Sequence, residues 1–265
     1  MDMYAKVIAD SISETGHRIT SIECRYPRFI HSEMMTHRVF SRNASSSRAI
    51  PTKKLVELVR TDPVLPIEWG RNQSGMSADT LLEAAVVQNL ETEWRALAAE
   101  VADVAARWAA AGLHKQVVNR ILEPFLPITV LITATEWSNF FDQRCSPNAQ
   151  PEIRRIAELM RDAMSASKPE ELGLFQWHSP YVTKEELQSY HSEDIKKISV
   201  ARCARTSYLN HDGKNDIESD IKLWTKLRDN KHLSPFEHVA RPVLNLFMAS
   251  NYSGWISYRH EQFGR

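Results

Sequence analysis

The chain has 265 residues, 33 basic and 33 acidic side chains, zero formal net charge and 43% apolar residues. These values fit a globular protein with enough chain to bury a core. They exclude a disordered or fibrous chain and a general polyanion binder, which needs a basic excess, so no nucleic-acid partner is expected. No apolar run approaches the roughly 18 residues that cross a bilayer, so no membrane partner is expected either. No targeting segment is expected at the start, where acids come early and no apolar stretch follows.

Thr20–Cys24 alternates and reads as β-structure. Pro27 suits the first turn of a helix running through PRFIHSEMMTH. RVFSRNASSSRAIP is polar and serine-rich, hence loop, and residues 61–80 hold Pro63, Pro66, Gly70 and Gly75, which predict a long loop. Leu90, Trp94, Leu97, Val101, Val104 and Trp108 then repeat at helical spacing, with Gly112 as the stop. The stripe is expected to pack on helices of the same fold or of a second subunit.

LHKQVVNRILEPFLPITVLITATEWSNFFDQR is the most apolar stretch, and Pro124 and Pro127 break it into at least two pieces. PNAQPEIRRIAELMRDAM predicts a helix with Pro151 near its start, Glu152 in its first turn and Ile153, Ile156, Met160 and Met164 on one face. Residues 165–195 read as loop and short helix. ISVARCARTSYL reads as a short strand, DIESDIKLWTKLRDN as an amphipathic helix, PVLNLFMA as a strand and NYSGWISYRHEQFGR as a closing helix. Mixed elements without a βαβ rhythm predict an α+β fold, expected as one domain over 1–265.

Cys24, Cys145 and Cys203 are widely spaced and form no CxxC pair, which leaves a zinc ribbon or dithiol site unsupported and fits a reducing, cytoplasmic setting. The 8 glycines form no GxGxxG and no GxxxxGK[ST], so a bound nucleotide must be held by side chains and helix ends. Met34–Val56 contains no acid, but holds His37, Arg38, Arg42, Arg48, Lys53 and Lys54 with Ser41, Asn43, Ser45, Ser46 and Ser47. That composition suits a phosphate and equally suits a solvated basic loop. HLSPFEH places Glu237 between two histidines, either as an acid/base or cofactor group or as a capped turn. It matches no zinc pattern, and no metal is expected.

THRVFSRNASSSR resembles the signature of flavin-dependent thymidylate synthases through His37, Arg38, Ser41, Asn43, Ser46 and Arg48. Further segments resemble the same family: NRILEP through Arg120, TEWSNFFDQRCSPNAQPEI through Asn139, Arg144, Gln150 and Glu152, ARTSY through Ser207, and HLSPFEH through His232, Ser234 and Glu237. The matches leave out roughly residues 55–110 and 165–198. The last two segments precede the signature in the family and follow it here, so the order looks circularly permuted, which is tolerable when termini lie close together. A strand, a helix and a basic cluster also occur twice, the second time ending in Arg259, His260 and Arg265.

The resemblance implies a sheet with packed helices and methylation of dUMP to dTMP. It implies FAD as cofactor, NADPH and methylenetetrahydrofolate as co-substrates, and a homotetramer with shared sites. It also implies that Arg48 and Arg120 hold the nucleotide phosphate with Ser46 and Ser47, and that Arg144 stabilises charge building on the pyrimidine, with Ser46 beside it. His37, Arg38, Ser41, Asn139, Ser207, His232, Ser234 and Glu237 would bind flavin or shape its pocket. Thr36 replaces the first arginine of the signature, Glu33 a glutamine, Ala44 an acid and Asn148 a histidine. These departures favour, as alternatives, one-carbon transfer to another pyrimidine nucleotide or a non-catalytic binding homologue.

Overall fold

The computed structural model describes residues 1–206, 216–244 and 251–264. In chain order the elements are β1 (Tyr4–Ser13), β2 (Arg18–Pro27), α1 (His31–Met35), β3 (Ser41–Ala44), α2 (Thr52–Thr61), α3 (Ala84–Ala110), α4 (Lys115–Val118), β4 (Pro127–Ala134), α5 (Ser138–Arg144), α6 (Pro151–Ala166), β5 (Glu170–Leu172), α7 (Lys184–Ser189), α8 (Ser192–Arg205), α9 (Ile217–Asp229), β6 (Ala240–Pro242), β7 (Trp255–Ser257) and α10 (Tyr258–Phe263). Short 3-10 turns lie at Arg28–Ile30, Asn119–Phe125 and Ser234–Glu237.

The centre is a five-stranded sheet in the order β3-β4-β2-β1-β5. It is antiparallel except where β5 joins β1. Together with its packed helices it forms the expected α+β arrangement. Strand periodicity sorts its two faces. Ile22, Cys24 and Tyr26 of β2 and Ile128, Val130 and Ile132 of β4 face one way, onto Ile153, Ile156, Ala157 and Met160 of α6. Burying such side chains contributes about 1.5–3 kcal/mol each. The opposite face is polar, with Ser11, Ser21, Thr133 and Asn43 all buried there.

A second core lies among α2, α3 and the Asn119–Phe125 turn. Here the expected single apolar stripe of α3 divides. Ala98, Ala102 and Ala105 form the buried face, with Trp94 and Val101 beside them, because alanine lets the helix approach α2 closely. Leu97 and Trp108 lie on the other side, 50% and 41% exposed.

A third core joins α8, α9, α10 and the Ser234–Glu237 turn around Val200, Trp224, Phe236 and Tyr258. Arg202 of α8 pins it. Its guanidinium donates to Asp220 at 3.0 Å, to the Tyr181 carbonyl at 2.8 Å and to both Glu186 oxygens at 2.7 and 2.6 Å.

Four expectations need correction. The described part of ISVARCARTSYL is not a strand: 192–205 is helix α8, buried nearly all round, so no 3.6-residue pattern shows in its sequence, and 207–209 lie outside the described residues. The helix expected from Pro27 is a 3-10 turn followed by the five residues of α1. The serine-rich loop contains β3, recruited by pairing with β4. The closing helix is β7 followed by α10. Of the PVLNLFMA strand, only Pro242 falls in β6, and 245–250 lie outside the described residues.

Candidate functional site

The signature segment is shaped by its neighbours. Pro27 closes β2, the chain turns through α1, and the Arg42 guanidinium gathers the carbonyls of Met34, Met35 and His37 at 3.0–3.3 Å. Arg42 therefore caps a helix end. Beyond β3, Ser45 continues the pairing, its N–H donating to the Thr129 carbonyl at 2.8 Å. The Asn119 amide donates to the carbonyls of Ser47 and Ile50 at 2.8 and 3.0 Å, and Lys115 Nζ donates to that of Ala49 at 3.0 Å. The loop is thus held from behind, and its residues alternate between two sides.

On one side, Asn43, Ser46 and Arg48 line a cavity of about 330 Å³ with His114, Gln116 and His232. Arg48 is exposed. Asn43, itself buried, donates to the Cys203 carbonyl at 2.6 Å and accepts from Ser234 Oγ at 3.4 Å. It ties the signature strand to the last turn of α8 and to the SPFE turn, 160 and 191 residues further along the chain. His114 and Gln116 were not legible in the sequence, because they lie at the start of α4, outside every motif.

Ser47 turns the other way. It is 1% exposed and donates to Glu123 Oε1 at 2.5 Å, so it does not face the Arg48 cavity, contrary to the substrate role expected for it. Arg120 is exposed and donates to the same oxygen at 2.9 Å. Within one chain it does not line the cavity with Arg48.

Arg144 forms a third group. Its Nε donates to His37 Nε2 at 2.9 Å and its Nη2 to Thr36 Oγ1 at 3.2 Å. Arg144 is thus hydrogen-bonded within the chain, and Thr36 has a partner in it. His37 lies edge-on to Phe140, ring centroids 4.9 Å apart. Burial, and then Arg144 and Arg42, push its pKa down to about 4. The ring is neutral at pH 7 and accepts at Nε2, which places its proton on Nδ1.

Of the remaining expected residues, Arg38, Asn139 and His232 are exposed, and their side chains form no hydrogen bond among the described residues. Ser41 is buried and accepts from Asn251 Nδ2 at 3.4 Å. Glu237 is paired with Arg259, which gives that arginine of the second basic cluster a structural partner. Ser207 and Arg265 lie outside the described residues.

Behind this site a buried chain of hydroxyls and imidazoles crosses the polar face of the sheet. Ser11 Oγ shares a hydrogen bond with His178 Nδ1 at 2.9 Å, and His178 Nε2 with Ser21 Oγ at 2.8 Å. Ser21 Oγ meets Thr133 Oγ1 at 2.5 Å, and Thr133 Oγ1 meets His238 Nδ1 at 2.8 Å. Burial pushes both histidines down to about 3, and His238 Nε2 has no partner among the described residues. The chain fastens the SPFEH segment onto the sheet.

A family model described as thymidylate synthase complementing protein matches residues 10–170. No curated protein matches the sequence. Among solved structures, a UMP/dUMP methylase PolB from Streptomyces cacaoi bound with 5-Br UMP superposes with TM-score 0.50 at 16% identity, over 62% of this chain and 89% of that one. The same methylase bound with 5-Br dUMP gives 0.49 at 16%, over 62% and 90%. A flavin dependent thymidylate synthase ThyX from Helicobacter pylori complexed with FAD and dUMP gives 0.37 at 18%, over 56% and 68%.

Proposed function

The chain belongs to the thymidylate synthase complementing protein family, and from that premise we propose that it methylates dUMP to dTMP, with FAD as cofactor and NADPH and methylenetetrahydrofolate as co-substrates. The observation that carries the reading is the Arg48 cavity, where signature residues Asn43, Ser46 and Arg48 meet His232 from the far end of the chain. Arg48 is the cation for the nucleotide phosphate, and Ser46 adds a hydroxyl donor. A phosphate keeps its charge throughout the reaction, so Arg48 serves binding.

Arg144 serves the ring. The pyrimidine is nearly neutral at rest and gains negative charge as C5 becomes nucleophilic, so a guanidinium there stabilises the transition state more than the ground state. Neutral His37 accepts at Nε, which fixes the plane of the guanidinium and leaves Nη1 for the ligand. Thr36 receives Nη2, so the departure from the family signature lies one contact from Arg144.

The donors present fit a flavin in part. Arg38, Asn139 and His232 are exposed and uncommitted, whereas Ser41 and Glu237 are engaged within the protein and shape the pocket rather than reach the cofactor. When bound, the flavin supplies the redox chemistry and carries the one-carbon unit. A cavity of about 330 Å³ suits a mononucleotide, and a dinucleotide cofactor besides needs a wall from another chain. The separation of Arg144, Arg120 and Arg48 into three groups and the uncovered Leu97–Trp108 stripe of α3 support a homotetramer with shared sites. The permuted motif order is compatible with one site, because the Asn43 contacts join the late segments to the early signature.

The test is release of the C5 hydrogen from 5-tritiated dUMP by purified protein supplied with FAD, NADPH and methylenetetrahydrofolate. No release by protein that holds FAD and dUMP refutes the reading. Thr36 and Glu33 favour one second reading, turnover of UMP, because both lie beside Arg144 through the Thr36 hydroxyl, which donates to the Glu33 carbonyl at 2.7 Å. Faster release from UMP than from dUMP under the same conditions selects it.

A further inference from the structure

The side of the signature loop turned away from Arg48 faces a separate cavity of about 280 Å³. It is lined by Arg25, Arg28 and Tyr4 together with Leu55, Leu58 and Leu126, and by Ser45 and Ser47 of the loop. It shares no lining residue with the Arg48 cavity, because alternate loop residues point to opposite sides.

Its charges do not balance. Arg25 is half-buried and its side chain forms no hydrogen bond or ion pair among the described residues. Glu23, the acid on the same face of β2, is occupied by the hydroxyls of Tyr4 at 2.9 Å and Tyr181 at 2.6 Å. Arg28 donates through Nη2 to the Ser45 carbonyl at 3.1 Å, but its Nε is buried without a partner among the described residues. Its Nη1 stands 3.9 Å from Glu123 Oε1, too far for a hydrogen bond. That oxygen already accepts from Arg120 and Ser47. The guanidinium groups of Arg25, Arg28 and Arg120 are therefore set against two carboxylates, Glu23 and Glu123, because the phenols on Glu23 are neutral, and the surplus is one positive charge. Burial lowers the Arg28 pKa, as does Arg120, against the pull of Glu123. Half-buried, uncompensated cations are costly, and a ligand charge relieves that cost.

We propose that this second cavity is a site for an anionic head group on an apolar body, distinct from the nucleotide site at Arg48. The forked guanidinium groups suit either a phosphate monoester or a dicarboxylate, and the leucine wall takes the body. The inference rests on this cavity and holds whichever nucleotide the protein methylates.

Phenyl phosphate and N-(4-aminobenzoyl)glutamate separate the two sources of charge. Calorimetric titration of each is carried out on the purified full chain and on its Arg25→Met, Arg28→Lys and Arg48→Met variants. At least one probe is expected to bind the unaltered protein, with affinity reduced about tenfold to a hundredfold by Arg25→Met and by Arg28→Lys, as expected for loss of a charged hydrogen bond, and unchanged by Arg48→Met. Phenyl phosphate alone identifies a phosphate site, and the glutamate derivative alone a dicarboxylate site. Arg25→Met removes no protein hydrogen bond, so without a probe it is expected to melt at or above the temperature of the unaltered protein, which separates a lost site from a lost fold. The proposal is overturned if neither probe binds, or if binding responds to Arg48→Met and not to Arg25→Met.

Discussion

Lowering the pH from 7.5 to 5.0 is expected to remove a large part of the protein's stability through His178 and His238. Both side chains are fully buried, at 1% and 0% exposure, and both are held near pKa 3 by desolvation, against 6.5 for an ordinary histidine. Below pH 6.5 the unfolded chain takes up protons at these positions and the folded chain does not, so stability rises with pH between about 3 and 6.5 and is fully present above that window. At pH 5.0 each unfolded histidine gains about 2 kcal/mol from protonation that the folded one forgoes, and the pair about 4 kcal/mol. A domain with about 5–15 kcal/mol in total cannot lose that amount unnoticed. The measurement is the urea midpoint at half-unit pH steps for the unaltered protein and the His178→Gln, His238→Gln double variant. The double variant is expected to start lower and to show a flatter pH dependence. Parallel curves, or an imidazole C2–H resonance of either residue that titrates near 6.5 in the folded protein, refute the argument.

Arg144→Ala is expected to cost on the order of 3 kcal/mol in kcat with FAD binding retained, as for loss of one preorganised charge-stabilising donor, whereas Arg48→Ala raises the nucleotide KM and leaves kcat largely intact. Steady-state kinetics of the two variants check this, and equal small effects remove Arg144 from its role. Asn43→Ala is expected to lower stability by about 1–3 kcal/mol, because the buried Cys203 carbonyl loses its donor at 2.6 Å; the urea midpoint reports it. Leu97→Glu combined with Trp108→Glu is expected to dissociate the oligomer with unchanged far-ultraviolet dichroism, read by light scattering, and full activity in a monomer contradicts the shared-site proposal. The purified protein is expected to take up FAD, with absorbance bands near roughly 375 and 450 nm, measured by equilibrium dialysis.

What the sequence made legible was local. Pro151 and Glu152 marked the start of α6, and the apolar residues from Ile153 to Met160 marked its buried face. Gly112, at φ +89°, sits just past the end of α3 as expected. The elements that were missed depend on partners distant in sequence. β1 reads YAKVIADSIS, where a register shift between Val7 and Ala9 breaks the alternation that marks a strand. β3 is a strand because β4 lies beside it. In α8 the terminal charges, Glu193 and Asp194 at one end and Arg202 and Arg205 at the other, were the available helix signal, and ISVARC masked it with β-branched residues. The motif residues were legible by resemblance, but their direction was not. Ser46 and Ser47 are adjacent and alike, and only the Glu123 acceptor shows that Ser47 leaves the site.

The contacts between the two ends of the chain bear on the motif order. Trp255 Nε1 donates to the His17 carbonyl at 3.0 Å, in the turn that joins β1 to β2. Gly254, at φ +75°, sits so close to the same histidine that a Cβ there would lie 2.5 Å from its ring. The final segment is therefore seated on the first hairpin, while the SPFE turn is seated on β3 through Asn43 and, through His238 and Thr133, on β4. None of these contacts depends on which segment comes first in the chain. A sheet and its attached turns specify the site through such lateral bonds, and chain connectivity only has to reach between them. On that ground a permuted order is compatible with an intact site, and the same geometry explains why residues from both ends of the sequence line the Arg48 cavity.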